Sequence, residues 1–159
     1  MQPNICCFLG HRSFIETEEM KRAVKQAVEK LILEEGVNTF LFGSKSDFDT
    51  MCLNCVTELK AKYPHVKRIN VRAEYPDIDD NYLRYLMCYY DETYYPECVR
   101  GAGKASYVKR NREMVDRSRF CAIYYDALYV AAHKKSGTQL MLEYATKQKR
   151  EIILFTEKQ

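Results

Sequence analysis

Apolar positions along this chain follow two spacings. Short unbroken runs alternate with stretches in which apolar residues recur every three or four positions, and those two periods predict strands and helices. Residues 4–9 form an apolar run ended by Gly10, a buried first strand. Ser13-Phe14-Ile15-Glu16 has capping-box form and opens a helix whose inner face is Met20, Val24, Ala27, Val28, Leu31 and Ile32. Gly36 suits its C-terminal cap. Residues 39–42 form a second strand, ended by Gly43. Asp49 is the expected cap of the next helix, with Cys52, Cys55, Val56, Leu59 and Tyr63 inward and Pro64 beyond its end.

Residues 67–72 alternate polar and apolar, as a third strand near an edge does. Leu83, Leu86, Met87 and Tyr90 suggest a short helix. Residues 91–103 contain Pro96, Gly101 and Gly103 and read as loop. Ser106 caps a basic helix running to about Arg117, and residues 120–125 form a fourth strand. Gly137-Thr138 opens a helix with Leu140, Met141, Tyr144 and Ala145 inward, and residues 151–155 close the chain as a last strand. Strands alternating with helices predict one α/β domain over residues 1–159, a Rossmann-like three-layer sandwich. Its sheet is expected to be mainly parallel, of about five strands, with helices on both faces.

Composition narrows the class. At 47% apolar over 159 residues, the chain can bury a full core. The first apolar run is too short and lacks the basic leader of a signal peptide, and no stretch approaches a membrane span. A soluble, cytoplasmic protein is expected. Seven cysteines, an odd number without framework spacing, read as small buried hydrophobes in a reducing compartment. The net charge of +3 does not by itself indicate nucleic acid. Charge is unevenly spread, however. Residues 100–119 carry seven basic side chains against Glu113 and Asp116, and residues 74–97 carry seven acids against Arg84 alone, with seven of the 13 tyrosines.

Open parallel sheets bind ligands beyond the carboxyl ends of their strands. Three loops lie there: Gly10-His11-Arg12-Ser13, Gly43 to Asp49, and Lys134-Lys135-Ser136-Gly137-Thr138. In the third, a glycine admits close backbone approach. Thr138 adds a hydroxyl, and the helix start adds free N–H groups with a positive dipole end, a combination suited to phosphate. A lone Ser-Gly-Thr is more often a plain cap. Arg12 offers a planar fork for phosphate, and His11 could pass a proton, although a lone histidine is more often structural. Asp47 and Asp49 stand at a helix start, where capping is the ordinary role and a ribose contact the functional one.

Other signals point away from particular chemistries. Gly101-Ala102-Gly103-Lys104 lacks the first glycine and the closing Ser/Thr of a P-loop. No Gly-x-Gly-x-x-Gly follows the first strand, so no dinucleotide cofactor is indicated. Cys52-x-x-Cys55 has no second pair, so no zinc or other metal is expected. No Ser-His-Asp or Cys-His set assembles from spacing.

Read together, the loops resemble a known family. The order is Gly10-His11-Arg12, then Gly43 with Asp47-Phe48-Asp49, then Tyr63-Pro64. It continues with Asn111-Arg112-x-Met114-Val115-Asp116, Tyr124-Tyr125-Asp126, and Ser136-Gly137-Thr138 with Glu143-Tyr144-Ala145. This is similar to the YspA/YpsA-like branch of the SLOG superfamily, which also holds the DprA and Lonely Guy proteins. The resemblance implies a Rossmann-like fold that binds nucleotides or nucleotide-derived, ADP-ribose-like molecules. Some members cleave a base from ribose phosphate, using a glutamate two residues after the loop threonine. Leu140 stands at that place here and the nearest acid is Glu143, so phosphate binding carries over and the catalytic mechanism does not.

The leading expectation is a binding protein: a sensor, carrier or sequestering module for a nucleotide derivative. Its expected ligand contacts are Gly10, His11, Arg12, Gly43, Ser44, Asp47, Asp49, Arg112, Tyr125, Ser136, Gly137 and Thr138. Tyr125 or tyrosines of the 82–95 region could stack a base, with core packing the better account of most of them. The alternative is an N-glycosidic-bond hydrolase or transferase, phosphoribohydrolase- or deoxyribosyltransferase-like. Its carboxylate would come from Asp47, Asp49, Asp116, Asp126 or Glu143, with His11 as proton donor. A third, less favoured reading is DprA-like nucleic-acid binding through residues 100–119. No cofactor is expected, and a homodimer is possible for a domain of this class.

Overall fold

The first strand, β1 (Ile5–Gly10), is apolar at nearly every position because both of its faces are covered. The computed structural model describes residues 4–11, 14–43, 46–126 and 137–156. Within them β1 lies inside a six-stranded sheet with β2 (Thr39–Phe42), β3 (Lys67–Val71), β4 (Glu92–Tyr94), β5 (Phe120–Tyr124) and β6 (Glu151–Phe155). All pairings are parallel, in the order β4-β3-β2-β1-β5-β6. The chain therefore winds outward from β1 in one direction as far as β4. It then crosses back to place β5 on the other side of β1. That reversal sets the switch point between β1 and β5, where Cys7 pairs with Cys121 and Gly10 with Tyr124.

The side-chain period of a strand sorts the core into two layers. Cys6, Phe8, Phe40, Phe42, Ala122 and Tyr124 point to one face, packed by α1 (Glu18–Glu34) and α2 (Asp47–Lys62). Cys7, Leu9, Leu41, Cys121 and Ile123 point to the other, covered by α4 (Ser106–Arg117) and α5 (Gly137–Lys147). In α1 the buried stripe Met20, Val24, Val28, Leu31 and Ile32 keeps helical spacing. Gly36 supplies the positive φ of 71° just past its end. The short helix α3 (Asp80–Leu86) lies beyond β3 and buries only Leu86.

Several boundaries differ from expectation, each for a local reason. The sheet has six strands rather than about five, because β4 lies within the stretch expected to be loop. Helix α1 starts at Glu18, with the Thr17 hydroxyl accepting from the Met20 N–H at 3.0 Å; Ser13, the expected cap, lies outside the described residues. Helix α2 is capped by Ser46, whose Oγ accepts from the Asp49 N–H at 3.0 Å, so Asp49 is a buried residue of the first turn and not the cap. Ser106 is the first residue of α4 rather than its cap, and its hydroxyl donates to the Gly103 carbonyl at 2.7 Å. Cys52 and Cys55 are both core residues on α2. Among the described residues no helix is long and apolar enough to cross a membrane.

Candidate functional site

At the carboxyl edge of the sheet the strand exits leave a cleft of about 1090 Å³, at the upper end of small-molecule sites. Gly10 and His11 reach it from β1 and Gly43 from β2. Asn70, Val71 and Arg72 come from the end of β3, and Gly137, Thr138 and Met141 from α5. The turn after the first strand and the start of α5 thus open into one hollow. Its other wall is aromatic, formed by Tyr75, Tyr82, Tyr85, Tyr89, Tyr90 and Tyr107.

The three glycines at the cleft are small for different reasons. A Cβ on Gly10 would come within 2.6 Å of the buried Phe48 ring, so this glycine lets α2 pack on β1. A Cβ on Gly43 would meet Arg110 Cδ at 2.7 Å and Nε at 2.8 Å, because the Arg110 side chain crosses that backbone. Among the described residues a Cβ on Gly137 would meet nothing within 4 Å. Gly137 is the first residue of a helix, where N–H groups lack intrahelical partners.

Two arginines line the cleft, Arg72 and Arg110, and Arg110 is the buried one. It is only 4% exposed and lies on the inner stripe of α4, one turn before Met114. Nε donates to Asn111 Oδ1 at 2.9 Å, and Nη1 donates to the carbonyls of Gly43 and Val71. Among the described residues no partner of Nη2 is seen, and the guanidinium lies over the Tyr107 ring at 5.6 Å. Burial pulls the Arg110 pKa down and Asp49 opposes this; an arginine stays charged regardless.

Asp49 lies behind this surface, 2% exposed. Burial pushes its carboxyl well above the usual carboxylate range, although the charge of Arg110 and a hydrogen bond from the Gly43 N–H pull the other way. Its Oδ1 is buried and has no hydrogen-bond partner among the described residues. The Gly43 peptide is therefore held from both sides, its N–H by Asp49 and its carbonyl by Arg110.

His11 is 2% exposed, and its Nε2 accepts from the Asp126 backbone N–H at 2.9 Å. The ring also packs edge-on against Tyr124, centroids 5.8 Å apart. This bond ties the exits of β1 and β5 together across the switch point. With Nε2 occupied as an acceptor, the ring carries its proton on Nδ1.

Of the expected contacts, Gly10, His11, Gly43, Gly137 and Thr138 come together in the cleft wall. Arg12, Ser44 and Ser136 lie outside the described residues. Asp47 is exposed in the first turn of α2, and neither it nor Asp49 lines the cleft. Arg112 is exposed on α4, with its guanidinium over the Tyr144 ring at 5.2 Å; Arg110 takes the place in the wall instead. Tyr125 is half-buried against the second core layer. Glu143 is exposed and accepts from Gln139 Nε2 at 3.3 Å.

The helical period separates the two arginines: 110, 114 and 115 share the buried face of α4, and 112 falls on the opposite side. Glu74 and Tyr107, which hydrogen-bond to one another, also line the cleft and carry no sequence signal of their own. Elsewhere the arginines of the basic segment are engaged locally. Arg100 meets Glu97 at 3.5 Å, Arg117 meets Glu113 at 3.9 Å and Arg119 meets Glu151 at 2.7 Å.

No curated protein matches the chain. The model of the YspA SLOG family matches residues 6–159, which takes in the sheet from the second residue of β1 onward and all the residues that line the cleft. The chain therefore belongs to the YspA SLOG family.

Proposed function

We propose that this cleft binds a nucleotide or a nucleotide-derived, ADP-ribose-like molecule, and that the protein acts as a sensor, carrier or sequestering module for it. The observation that carries this reading is the pairing of Arg110 with the α5 start in one hollow. The Arg110 guanidinium and the helix start at Gly137 line one cleft with Thr138, and among the described residues a Cβ on Gly137 would meet nothing within 4 Å. A phosphate there would take charge-assisted hydrogen bonds from Arg110 and from helix N–H groups. The tyrosine wall offers faces for a base, and family membership is consistent with a nucleotide-related role.

Binding is favoured over base cleavage by the placement of the acids. Asp47, Asp49, Asp116, Asp126 and Glu143 are all absent from the described cleft wall, where Glu74 is the carboxylate. Nucleic-acid binding is disfavoured because the basic segment is not one free face: Arg110 is buried, and Arg100, Arg117 and Arg119 meet acids. Native mass spectrometry of the protein purified from cells is the direct test. A retained nucleotide-like mass, lost in Arg110→Met, supports the reading. Release of free base from nucleoside monophosphates would replace it with the enzymatic one.

A further inference from the structure

One face of the cleft has a chemistry that phosphate binding does not use. Tyr75, Tyr82, Tyr85 and Tyr89 form a continuous ladder: adjacent ring centroids lie 5.7, 6.0 and 5.5 Å apart. Tyr75, Tyr85 and Tyr89 are 54%, 57% and 49% exposed, yet all line the cleft. Exposed aromatic rings in a contiguous row are costly in water and mark a contact surface.

This face brings carboxylates to the rings, and it meets the Arg110 side at Tyr107, which bonds Glu74 and whose ring lies 5.6 Å from the Arg110 guanidinium. Between positions 72 and 84 the acids are Glu74, Asp77, Asp79 and Asp80, against Arg72 and Arg84. Arg72 lines the cleft too; its guanidinium donates to the Tyr75 carbonyl at 3.1 Å and to Thr93 Oγ1 at 2.9 Å, and its charge is partly offset by Asp77. Tyr75 and Tyr82 also wall a smaller adjoining hollow of about 320 Å³ that carries Asp77 and Asp79. The ring faces, negative by their quadrupole, are thus backed by carboxylates. Such a surface selects a flat group that is positively charged over a neutral one of the same shape.

Building on the proposed phosphate site, we infer that the tyrosine ladder is a second subsite, for a planar cationic heteroaromatic ring of the pyridinium type. The ligand is then dipolar, with phosphate toward Arg110 and Gly137 and a cationic ring against Tyr82 and Tyr85. A nucleotide with an uncharged base would stack on the same rings without the gain from ring charge. The cleft volume accommodates both ends of such a molecule at once.

The test is calorimetric titration with three probes: oxidised nicotinamide mononucleotide, its reduced form with an uncharged ring, and ribose 5-phosphate. The oxidised form is expected to bind at least about fivefold tighter than the reduced form, the size of a cation–π preference. The Tyr85→Leu/Tyr89→Leu variant, at exposed positions, should abolish that preference and leave ribose 5-phosphate unchanged. Glu74→Gln/Asp77→Asn, which keeps shape and removes charge, should reduce the preference even if the tyrosine variant is unstable. Equal binding of both redox forms overturns the ring-charge inference and leaves the phosphate reading standing. Equal loss of all three probes in the tyrosine variant also overturns it. Failure of all three probes to bind the unaltered protein overturns the phosphate reading with it.

Discussion

At the scale of single residues, the glycines separate structural from functional constraint. Gly10→Ala and Gly43→Ala each force a Cβ to within 2.7 Å of packed side-chain atoms, Phe48 in one case and Arg110 in the other. Overpacking of this kind costs about 1–3 kcal/mol, so both variants should show a lower urea midpoint. Gly137→Ala adds a methyl that meets nothing within 4 Å among the described residues, at the first position of a helix, where the gain from alanine is at most a fraction of the roughly 1 kcal/mol of a helix interior. That variant should keep or raise stability, and on the present account it loses ligand. Asp49 gives a pH signature. Its folded carboxyl is raised by burial, so its stability contribution is complete below the ordinary aspartate range. It is lost as pH climbs through the higher folded value. Denaturation from pH 4 to 8 should therefore show Asp49→Asn gaining on the unaltered protein as pH rises; a constant difference contradicts this. The sequence showed Asp49 only as an acid near a helix start, an ordinary capping position. Its burial follows from Ser46 taking the cap, which turns Asp49 inward behind Gly43. His11 was legible as a residue at the first strand exit, but its bond to the Asp126 N–H depends on β5 lying beside β1, a pairing far apart in sequence.

At the scale of elements, long periodic segments were readable and short ones were not. The inner stripes of α1 and α4 and the apolar runs of β1, β2 and β5 carry their periods through several turns or pairs. The three residues of β4 carry none. That strand is set by pairing with β3 and by a clamp at its start. The Asp91 carboxylate accepts from Arg68 Nε at 3.1 Å, Nη2 at 3.1 Å and the Arg68 backbone N–H at 2.8 Å. Burial raises the Asp91 pKa, but these bonds outweigh it and hold the carboxyl below its usual value. Asp91→Ala should cost about 1–3 kcal/mol, since it leaves a largely buried guanidinium short of its bidentate partner. Amide exchange should then speed up in β4 more than in β1 or β5; uniform exchange across the sheet would show that the clamp is not local. Because α3 leads directly into β4, the same variant should loosen the tyrosine wall before it disturbs the Arg110 side.

At the scale of the whole molecule, the strand order decides what the loops can do together. Parallel strands with β1 and β5 adjacent bring residue 10 and residue 137 to one cleft, although 126 residues of chain separate them. The alternation of elements made that convergence an expectation. The tyrosine-rich, acidic segment could not be placed in advance, because its aromatic residues fit a core, an interface or a site wall equally well by composition. In the fold it lines the cleft and reaches Arg110 through Glu74 and Tyr107. The most direct test of this account is titration of ADP-ribose into the unaltered protein and Gly137→Ala by isothermal calorimetry, with melting temperatures recorded for both. The account predicts saturable binding that weakens at least about tenfold in the variant while its melting temperature holds or rises. Equal affinity for the two proteins, or no binding to either, would contradict it.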